Sequence, residues 1–429
     1  MNTLNIVTRR GFLKSTGLGA LAASLPAWYL EETMSQAAAP KTLSANDKPG
    51  IALVGCGGQG RGDCNWARNF GNVVAVCDVD EGHLEEAAKQ FNAPHKFKDF
   101  RKVMDREDVH VIINGTPDHW HTLVNLLAVQ SGRDVYAEKP LTLTIDEGKR
   151  LVRAVRRNKA ILQVGSQQRS DARFRLACEL VRNGRIGKLQ YMVSGLPTGP
   201  RSGPFPGEKP PTGLDWDFYQ GQAPKADYTP RRCHWDFRWW YDYSGGQMTD
   251  WGAHHNDIAQ WGNGTERSGP IEVWGRSLKE MVPGGYTAAC DYLIHCRYAN
   301  GVQMVITNQA PNGVRFEGTD GWIFVNRETI KASRPEMLEE PLPTGATRLY
   351  KSDNHMGNFF ECIRSRKDPI CDVEIGHRSI SVAHLGVLSV RLNRPLKWDP
   401  EKEKFADDYE ANTWLAREMR QPYDYSFIA

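Results

Sequence analysis

A short apolar run followed at once by a glycine-rich turn constrains this chain more than any other feature. Residues 50–54, Gly-Ile-Ala-Leu-Val, are typical of a buried strand, and Gly55 to Gly60 form the pattern G-x-G-x-x-G before a helix predicted over 61–69. The first glycine permits a tight turn, the second, Gly57, lets a pyrophosphate approach the backbone, and the third allows close packing of helix on strand. The sequence therefore predicts a dinucleotide-binding turn.

The second strand of this unit ends in an acid. Residues 73–77 are apolar, and Asp78 follows them close to the spacing of about 20 residues that dinucleotide-binding units show. A carboxylate there accepts hydrogen bonds from both hydroxyls of the adenosine ribose and repels a 2′-phosphate. The next residues are Val79 and Asp80, not arginine, so the sequence favours NAD over NADP. A glycine turn in an unrelated α/β domain is the alternative.

The unit continues as a doubly wound sheet should, with strands and helices in alternation. Strands are predicted at 109–113 and 134–137, and helices at 81–92, 100–105 and 119–131. Such sheets bind their ligands at the carboxyl ends of the strands. Six further residues lie in the glycine turn or at and just after those ends and are expected to contact the cofactor: Gln59, Thr116, Pro117, His119, Glu138 and Lys139.

Paired arginines near the N-terminus indicate an export signal. Arg9 and Arg10 precede a weakly apolar stretch, residues 18–25, an arrangement similar to a twin-arginine signal. We assign residues 1–39 to this signal and 40–48 to a linker. This predicts a periplasmic or otherwise exported protein, with the twin-arginine export machinery as a partner. A frayed basic N-terminus is the alternative, and a membrane anchor is disfavoured because a span requires about 20 apolar residues.

Charge and cysteine content exclude other classes of protein. The net charge is +3, from 54 basic and 51 acidic residues, and no basic block stands out, so nucleic acid is not an expected partner. Nine cysteines without a CxxC pair predict free thiols rather than a disulfide framework, and no metal site is expected. The 13 tryptophans and 14 tyrosines suit a carbohydrate site, although most aromatic residues fill cores.

Four motifs in order make the chain resemble the Gfo/Idh/MocA oxidoreductases. They are Gly55-x-Gly57-x-x-Gly60, Thr116-Pro117 with His121, Glu138-Lys139-Pro140, and Gly245-Gly246-x-x-x-Asp250-x-Gly252-x-His254-x-x-Asp257. The resemblance implies an α/β protein with an N-terminal Rossmann dinucleotide-binding domain over 49–168. A C-terminal α+β domain over 169–429 would carry an open, mainly antiparallel sheet. Its outer face often makes the oligomer contact in this family, so a homo-oligomer, a dimer or a tetramer, is expected.

The resemblance also implies the catalytic residues. Lys139 would hold the reacting hydroxyl beside the nicotinamide, and Asp250 and His254 match the catalytic pair, with His254 the proton acceptor. Hydride leaves an alcohol carbon readily only as the hydroxyl proton is removed, which requires a base, and an ammonium group can stabilise the developing alkoxide. Two alternatives stay open: Lys139 is an ordinary lysine before a proline turn, or the adjacent His255 replaces His254 as the catalytic residue.

Substrate contacts are expected from the second domain. Arg169 follows a strand near the cofactor, where a surface role is the alternative. A long loop rich in proline and glycine, residues 197–230, leads into a cluster of aromatic residues and arginines immediately before the catalytic segment. Such a cluster suits stacking and hydrogen bonding to a pyranose ring, and core packing is the alternative. The candidate substrate residues in and beside this cluster are Arg238, Trp240, Tyr241 and His255.

The predicted function is NAD(P)-dependent oxidation or reduction of a secondary hydroxyl of a sugar, glycoside or polyol. Outside the cytoplasm, released NADH is not easily reoxidised, so the NAD is expected to stay bound and to be recycled in the site. Redox-neutral cleavage of a glycoside through a keto-sugar intermediate is one alternative. A nucleotide-containing binding protein without turnover is another.

Overall fold

A parallel sheet forms the first half of the computed structural model, which describes residues 25–35 and 48–429. Its strands are Gly50–Val54 (β1), Asn72–Cys77 (β2), His95–Phe97 (β3), Val111–Asn114 (β4), Asp134–Ala137 (β5) and Leu162–Val164 (β6). Their order is β3-β2-β1-β4-β5-β6, and every neighbouring pair is parallel. This is the strand order of a dinucleotide-binding Rossmann domain. The predicted strands and the class of the first domain are confirmed.

Helices cover both faces of this sheet, as parallel sheets require. They are Gly58–Ala67 (α2), Glu81–Phe91 (α3), Phe100–Met104 (α4), Asp118–Gln130 (α5) and Ile145–Asn158 (α6), numbered after an N-terminal helix, Ala27–Ser35 (α1). The helix predicted from residue 61 begins instead at Gly58, inside the glycine motif. The last glycine of the motif is therefore a helical residue that packs on the strand, which brings the free end of the helix closer to the cleft.

A larger mixed sheet forms the second half. Its strands within the described residues are Leu189–Gly195 (β7), Glu272–Ser277 (β8), Tyr292–Arg297 (β9), Gln303–Thr307 (β10), Gly313–Gly318 (β11), Trp322–Val325 (β12), Ile330–Ala332 (β13), Leu396–Asp399 (β14) and Lys404–Phe405 (β15). Only β7 and β10 pair in parallel; the other neighbours are antiparallel. The predicted, mainly antiparallel second sheet is confirmed.

The second sheet is packed on one face by long helices that also reach the first domain. The helices of this half are Ala172–Arg182 (α7), Trp216–Gln220 (α8), Gln247–Asp250 (α9), Gly252–Asn263 (α10), Glu336–Glu339 (α11), His355–Ser365 (α12), Val373–Leu392 (α13) and Tyr409–Thr413 (α14). Helix α13 contacts α10, β8 and α6. Its buried Val373, Ile380 and Ala383 belong to the hydrophobic core of the Rossmann domain, so a continuous apolar interface joins the two halves.

The segment 213–240, called the strap below, crosses from the second half back onto the Rossmann domain. Leu214 forms a β-bridge with Asp80, and the Glu81 amide donates to the Gly213 carbonyl oxygen at 3.1 Å. Phe218 then stacks on Tyr423 of the C-terminal tail. The second half of the predicted loop 197–230 therefore connects the two halves of the molecule.

Helix α1 lies against the second half. The Tyr29 side chain is buried and its hydroxyl accepts from Arg175 Nε at 2.8 Å, while Trp28 Nε1 donates to the Leu338 carbonyl oxygen at 2.9 Å. The arginine pair of the predicted export signal lies outside the described residues. Within the described ranges, no helix is long and apolar enough to cross a membrane. All nine cysteines fall in these ranges, and each is a buried free thiol, as expected.

Candidate active site

A cleft of about 600 Å³ runs along the carboxyl ends of the first sheet and is closed on its other side by the strap. The glycine turn builds its floor. Gly55 has φ +86°, and a Cβ there would lie 2.4 Å from the Thr116 nitrogen; a Cβ on Gly60 would lie 2.1 Å from the Gly55 oxygen. A Cβ on Gly57 would meet open space. The first and third glycines therefore permit packing, and the second leaves room for a ligand against the backbone.

The cleft fits a dinucleotide. Helix α2 begins at Gly58 with no side chain capping its first amides, which therefore point free N–H groups and a partial positive charge at an anion. Asp78 lies at the end of β2, in the lining of the cleft, where its carboxylate accepts from the Cys56 and Asp80 amides at 2.6 and 2.8 Å. A pyrophosphate at α2 and a ribose at Asp78 would use both features.

Lys139 and Asp250 meet across the boundary between the two halves. The Lys139 ammonium group forms an ion pair with the Asp250 carboxylate, and Arg238 Nε lies 3.6 Å from the same oxygen, Oδ1. Burial alone would raise the pKa of Asp250, but the charges of Lys139 and Arg238 outweigh it and hold that pKa below its usual value. Asp250 is therefore ionised and holds Lys139 and Arg238, both of which line the cleft.

His254 is a neutral imidazole beside this ion pair. Its side chain is buried, and its Nδ1 has no hydrogen-bond partner among the described residues. Burial and the positive charges of Lys139 and Arg327 lower the pKa of His254 well below its usual value. The imidazole therefore starts unprotonated, as a general base must, although the same burial and charges disfavour the protonated form that it would reach. By contrast, Nδ1 of the adjacent His255 is bonded to the Gly195 carbonyl oxygen at 2.8 Å.

A pair of buried carboxyl groups supports Lys139 from behind. Glu138 Oε2 accepts from the Lys139 amide at 3.2 Å, and its Oε1 accepts from Gln167 at the same distance. Burial raises the pKa of both Glu138 and Asp63, and the charge of Glu138 raises that of Asp63 further. A Cβ on Gly165 would lie 2.3 Å from Glu138 Oε1, so this glycine makes room for the buried carboxyl.

Two family models match the chain over most of its length. Residues 50–166 match "Oxidoreductase family, NAD-binding Rossmann fold", and residues 204–425 match "Oxidoreductase family, C-terminal alpha/beta domain". The second match alone spans half of the chain. The chain belongs to the Gfo/Idh/MocA oxidoreductase family. Its first domain is an NAD-binding Rossmann domain, NAD is its cofactor, and the predicted family is confirmed.

Curated relatives and solved structures agree with this assignment. The chain is 24% identical over 343 residues to scyllo-inositol 2-dehydrogenase (NAD(+)) of Bacillus subtilis, covering 77% of this chain and 90% of the relative. A glycosyl hydrolase family 109 protein of Shewanella pealeana is 26% identical over 207 residues, covering 43% and 45%. The WlbA dehydrogenase of Bordetella pertussis, solved with NADH and UDP-GlcNAcA, shares the fold with a TM-score of 0.62 and 19% identity, over 82% and 99% of the two chains.

Most of the cofactor residues predicted from sequence line the cleft of this oxidoreductase. Gly55, Gly57, Gln59, Asp78, Thr116, Pro117, Glu138 and Lys139 do so, and Gly60 packs beneath them. His119 was predicted wrongly. Its Nε2 is bonded to the Tyr219 carbonyl oxygen at 2.8 Å, its side chain is buried, and it packs against Tyr243. The imidazole of His119 therefore points away from the cleft and helps to hold the strap through Tyr219.

Four of the five predicted substrate residues have structural roles. Arg169 is 2% exposed and makes a bidentate ion pair with Asp257 at 2.6 and 2.8 Å, so it cannot reach a substrate. Trp240 is buried under Arg232, and its Nε1 donates to a backbone carbonyl. The Tyr241 hydroxyl accepts from the Ala289 amide at 3.0 Å, outside the cleft. His255 is held by β7, as described above. Arg238 remains, because it lines the cleft beside Asp250.

Two residues that the sequence did not single out face the catalytic group. Asp118 lines the cleft, with Oδ2 buried and unpartnered among the described residues, and burial raises its pKa to about 7 despite the opposing effects of Ser244, Arg238 and Lys139. Arg327, from the turn after β12, lies over the Trp251 ring at 4.6 Å, and its charge acts on Asp250 and His254. The position of Asp118 directly after Thr116-Pro117 could have indicated its role from the sequence. No sequence feature indicated a role for Arg327.

Proposed function

We propose that this oxidoreductase transfers hydride between NAD and a secondary hydroxyl carbon of a sugar, glycoside or polyol. The observation that carries the proposal is that Lys139, which lines the dinucleotide cleft, is paired with Asp250 and lies close enough to neutral His254 for its charge to lower the pKa of that imidazole. When bound, NAD supplies the hydride acceptor. The protein must supply the proton acceptor, the charge that stabilises the alkoxide, and the contacts that orient the substrate.

The side chains divide these tasks. Lys139, already charged and paired with Asp250, is placed to donate a hydrogen bond to the reacting hydroxyl and to stabilise negative charge on its oxygen. His254 takes the hydroxyl proton, because its imidazole is neutral and its Nδ1 carries no competing bond from the described residues. Glu138 holds the Lys139 backbone in place from the buried side.

The polar lining of the site supports a polyhydroxylated substrate. Asp118 offers a carboxyl oxygen that has no partner in the described part of the chain, and Arg238 and Arg327 offer guanidinium donors close to the catalytic group. A sugar or cyclitol presents several hydroxyls that can each donate and accept, which suits a mixture of carboxyl and guanidinium groups. Scyllo-inositol 2-dehydrogenase, a relative matched over 77% of this chain and 90% of its own, is named for such a polyol.

The strap supports retention of the nucleotide. Phe218, Tyr219, Trp235 and Phe237 line the cleft opposite the Rossmann domain, so a bound dinucleotide would be covered by the same chain. Release would require the strap to part from the Rossmann domain, and with it the contact of Phe218 with Tyr423. We therefore infer that the nucleotide stays bound between turnovers, in which case a second, carbonyl-containing substrate would have to take up the hydride in the same site.

Redox-neutral glycoside cleavage is a second candidate. It is favoured by the relative of glycosyl hydrolase family 109, which matches 43% of this chain. In that scheme a transient oxidation acidifies a neighbouring C–H, a glycosidic substituent is eliminated, and the oxidation is reversed. Lys139 and His254 would take the same first step, so the two candidates differ only in whether a glycosidic bond breaks afterwards.

The test is to incubate the protein with a panel of aldoses, glycosides and cyclitols and to identify products by mass spectrometry. The proposal predicts a product two hydrogen masses lighter than its substrate, matched by a reduced second sugar or by NADH. Release of a free aglycone or sugar without lasting reduction of NAD would establish the cleavage candidate instead. Absence of any product across the panel, with NAD bound, would favour a binding protein.

Export by the twin-arginine route remains part of the proposal. This route carries folded proteins, which suits an enzyme that must acquire its nucleotide before it leaves the cytoplasm. Because the docked helix α1 includes the buried Tyr29, we propose that any signal cleavage occurs before Leu25, not near residue 39. N-terminal sequencing of the exported protein tests this position.

A homo-oligomer is also proposed, through the outer face of the second sheet. The face opposite the packed helices carries Trp274 stacked on the exposed His295, with Arg276 over the same tryptophan. Light scattering at several protein concentrations distinguishes a dimer or tetramer from a monomer.

A further inference from the structure

A group of three potential metal ligands joins the strap to the Rossmann domain. Asp80 and His83 lie at the N-terminus of α3, and His234 comes from the strap. One ligand atom from each lies within 4.8 Å of the other two, and all three residues line the dinucleotide cleft. Two imidazoles and one carboxylate are the protein ligands of a common class of zinc site, in which water fills the fourth position.

The distances within the group suit a small ion. His234 Nε2 lies 3.4 Å from Asp80 Oδ2. Two ligands bound to a tetrahedral Zn²⁺ at 2.0–2.1 Å are about 3.4 Å apart. The His83 and His234 rings meet edge to face with centroids 4.6 Å apart, so a small rotation of one ring brings both within reach of one ion.

The backbone holds these side chains in place. His234 has φ +49°, a left-handed conformation that histidine rarely adopts, and its amide donates to the Tyr219 hydroxyl at 3.0 Å. Asp80 Oδ1 accepts from the His83 amide at 3.1 Å as the helix cap, which leaves Oδ2 directed at His234. A strained position that is fixed from both sides suggests a use for the side chain.

We propose that Asp80, His83 and His234 bind a divalent transition metal, Zn²⁺ in the first instance, that clamps the strap over the adenosine end of the cleft. Asp80 lies two residues beyond Asp78, which would hold the adenosine ribose, so the ion would fasten the strap over that end of the cleft. The binding of the ion does not depend on the proposed substrate. Its effect on nucleotide release rests on the proposal that NAD is held beneath the strap.

The first experiment measures the ion alone. Tag-free protein is stripped with chelator, freed of nucleotide and titrated with Zn²⁺ by calorimetry, and Co²⁺ replaces Zn²⁺ for visible absorption. We expect one ion per chain and a tetrahedral Co²⁺ spectrum. His83→Asn and His234→Asn should each weaken Zn²⁺ binding at least tenfold. Asparagine tolerates the left-handed backbone at position 234, and Asp80→Asn keeps the helix cap, so these variants preserve the fold.

The matched control is His295→Asn, which removes an exposed histidine from the outer face of the second sheet. It should bind Zn²⁺ as the wild type does. Failure of the wild type to bind one Zn²⁺ per chain, or unchanged binding in both cluster histidine variants, would overturn the metal site. Circular dichroism of each variant shows whether a loss of binding is a loss of fold.

The second experiment measures NADH release by stopped-flow fluorescence, with Zn²⁺ and with chelator. We expect release to be several-fold slower with Zn²⁺ in the wild type and in His295→Asn, and to be insensitive to Zn²⁺ in His234→Asn. Stoichiometric Zn²⁺ binding with identical release rates in the wild type would overturn the clamp. Neither experiment depends on turnover, so failure of the proposed dehydrogenase activity would be recognised separately.

Discussion

The two walls of the dinucleotide cleft are specified in different ways. The Rossmann wall is local: Gly55, Gly57 and Gly60 lie within one turn, and their roles follow from spacing and backbone geometry. The strap wall is assembled by tertiary contacts, such as the bridge between Asp80 and Leu214. The binding features of the first wall can therefore be predicted from the sequence, whereas those of the second depend on contacts between residues far apart in the chain. We attribute nucleotide recognition to the first wall and nucleotide retention to the second, and catalysis to Lys139 of the first wall together with Asp250 and His254 of the second domain.

The largest effect expected is that of removing the ammonium group at the meeting of the two domains. Lys139→Ala should lower kcat by about 10³-fold, because both alkoxide stabilisation and substrate orientation are lost. NADH affinity, measured by fluorescence titration, should change much less. Lys331→Ala, an exposed lysine on β13, is the control and should retain activity. Near-normal turnover in Lys139→Ala would show that the Rossmann wall does not supply a catalytic group.

Two adjacent histidines offer the next contrast. His254→Asn should lower kcat by about 10²-fold with little loss of stability, because it removes the proton acceptor. His255→Asn should instead lower the free energy of unfolding by about 1 kcal/mol, since it disturbs the bond to the Gly195 carbonyl oxygen. Steady-state kinetics and urea unfolding of both variants measure this pair of effects. The reverse pattern would make His255 the catalytic residue.

Asp118 gives the site a dependence on pH. The unfolded chain loses this proton near pH 4. The folded protein, in which burial raises the pKa of Asp118 to about 7, loses it later. The nucleotide-free wild type should therefore lose stability as pH rises between these values, because the folded state holds the proton more tightly. Asp118→Asn should be more stable than the wild type at pH 8 by on the order of 2 kcal/mol, and nearly equal to it at pH 4. Urea unfolding at both pH values checks this; a difference that does not vary with pH would place the ionisation elsewhere.

The smallest effect expected comes from the strap. Trp235 is 67% exposed and lines the cleft. Trp235→Ala should therefore remove part of the cover and weaken NADH binding by about 1 kcal/mol. NADH release should become several-fold faster, while kcat with saturating substrate stays close to normal. Trp66→Ala is the matched control, since that tryptophan is also exposed but lies on α2 outside the strap. Equal NADH release rates in the two variants would contradict a role of the strap in retaining the nucleotide.

The order of the elements and the two sheets could be predicted because each depends on local patterns. Apolar strands, the glycine turn and the acid at the end of β2 are all short-range signals, and they located Gly57, Asp78 and Lys139 correctly in the cleft. The prediction failed where a motif neighbour faced the wrong way. His119 and Asp118 are adjacent, but the helix that starts at Asp118 directs one side chain into the core and the other into the site.

Charged residues of the second domain were harder to predict because burial decides their role. From the sequence, Arg169 is a plausible substrate contact. In the structure it forms an ion pair with Asp257, and nothing in the sequence indicates that these two residues pair. Arg327 reaches the site only because the turn between β12 and β13 folds toward Trp251. The group of Asp80, His83 and His234 was missed for the same reason: two ligands are close in sequence and the third arrives on the strap.

The most direct test of the account is to purify the protein without added nucleotide, denature it, and quantify the nicotinamide dinucleotide released per chain. A dehydrogenase that holds its cofactor beneath the strap should release close to one NAD or NADH per chain, with NADP absent because the Asp78 carboxylate would repel a 2′-phosphate. An empty protein that binds added NAD only loosely would contradict retention and, with it, the division of labour between the two walls.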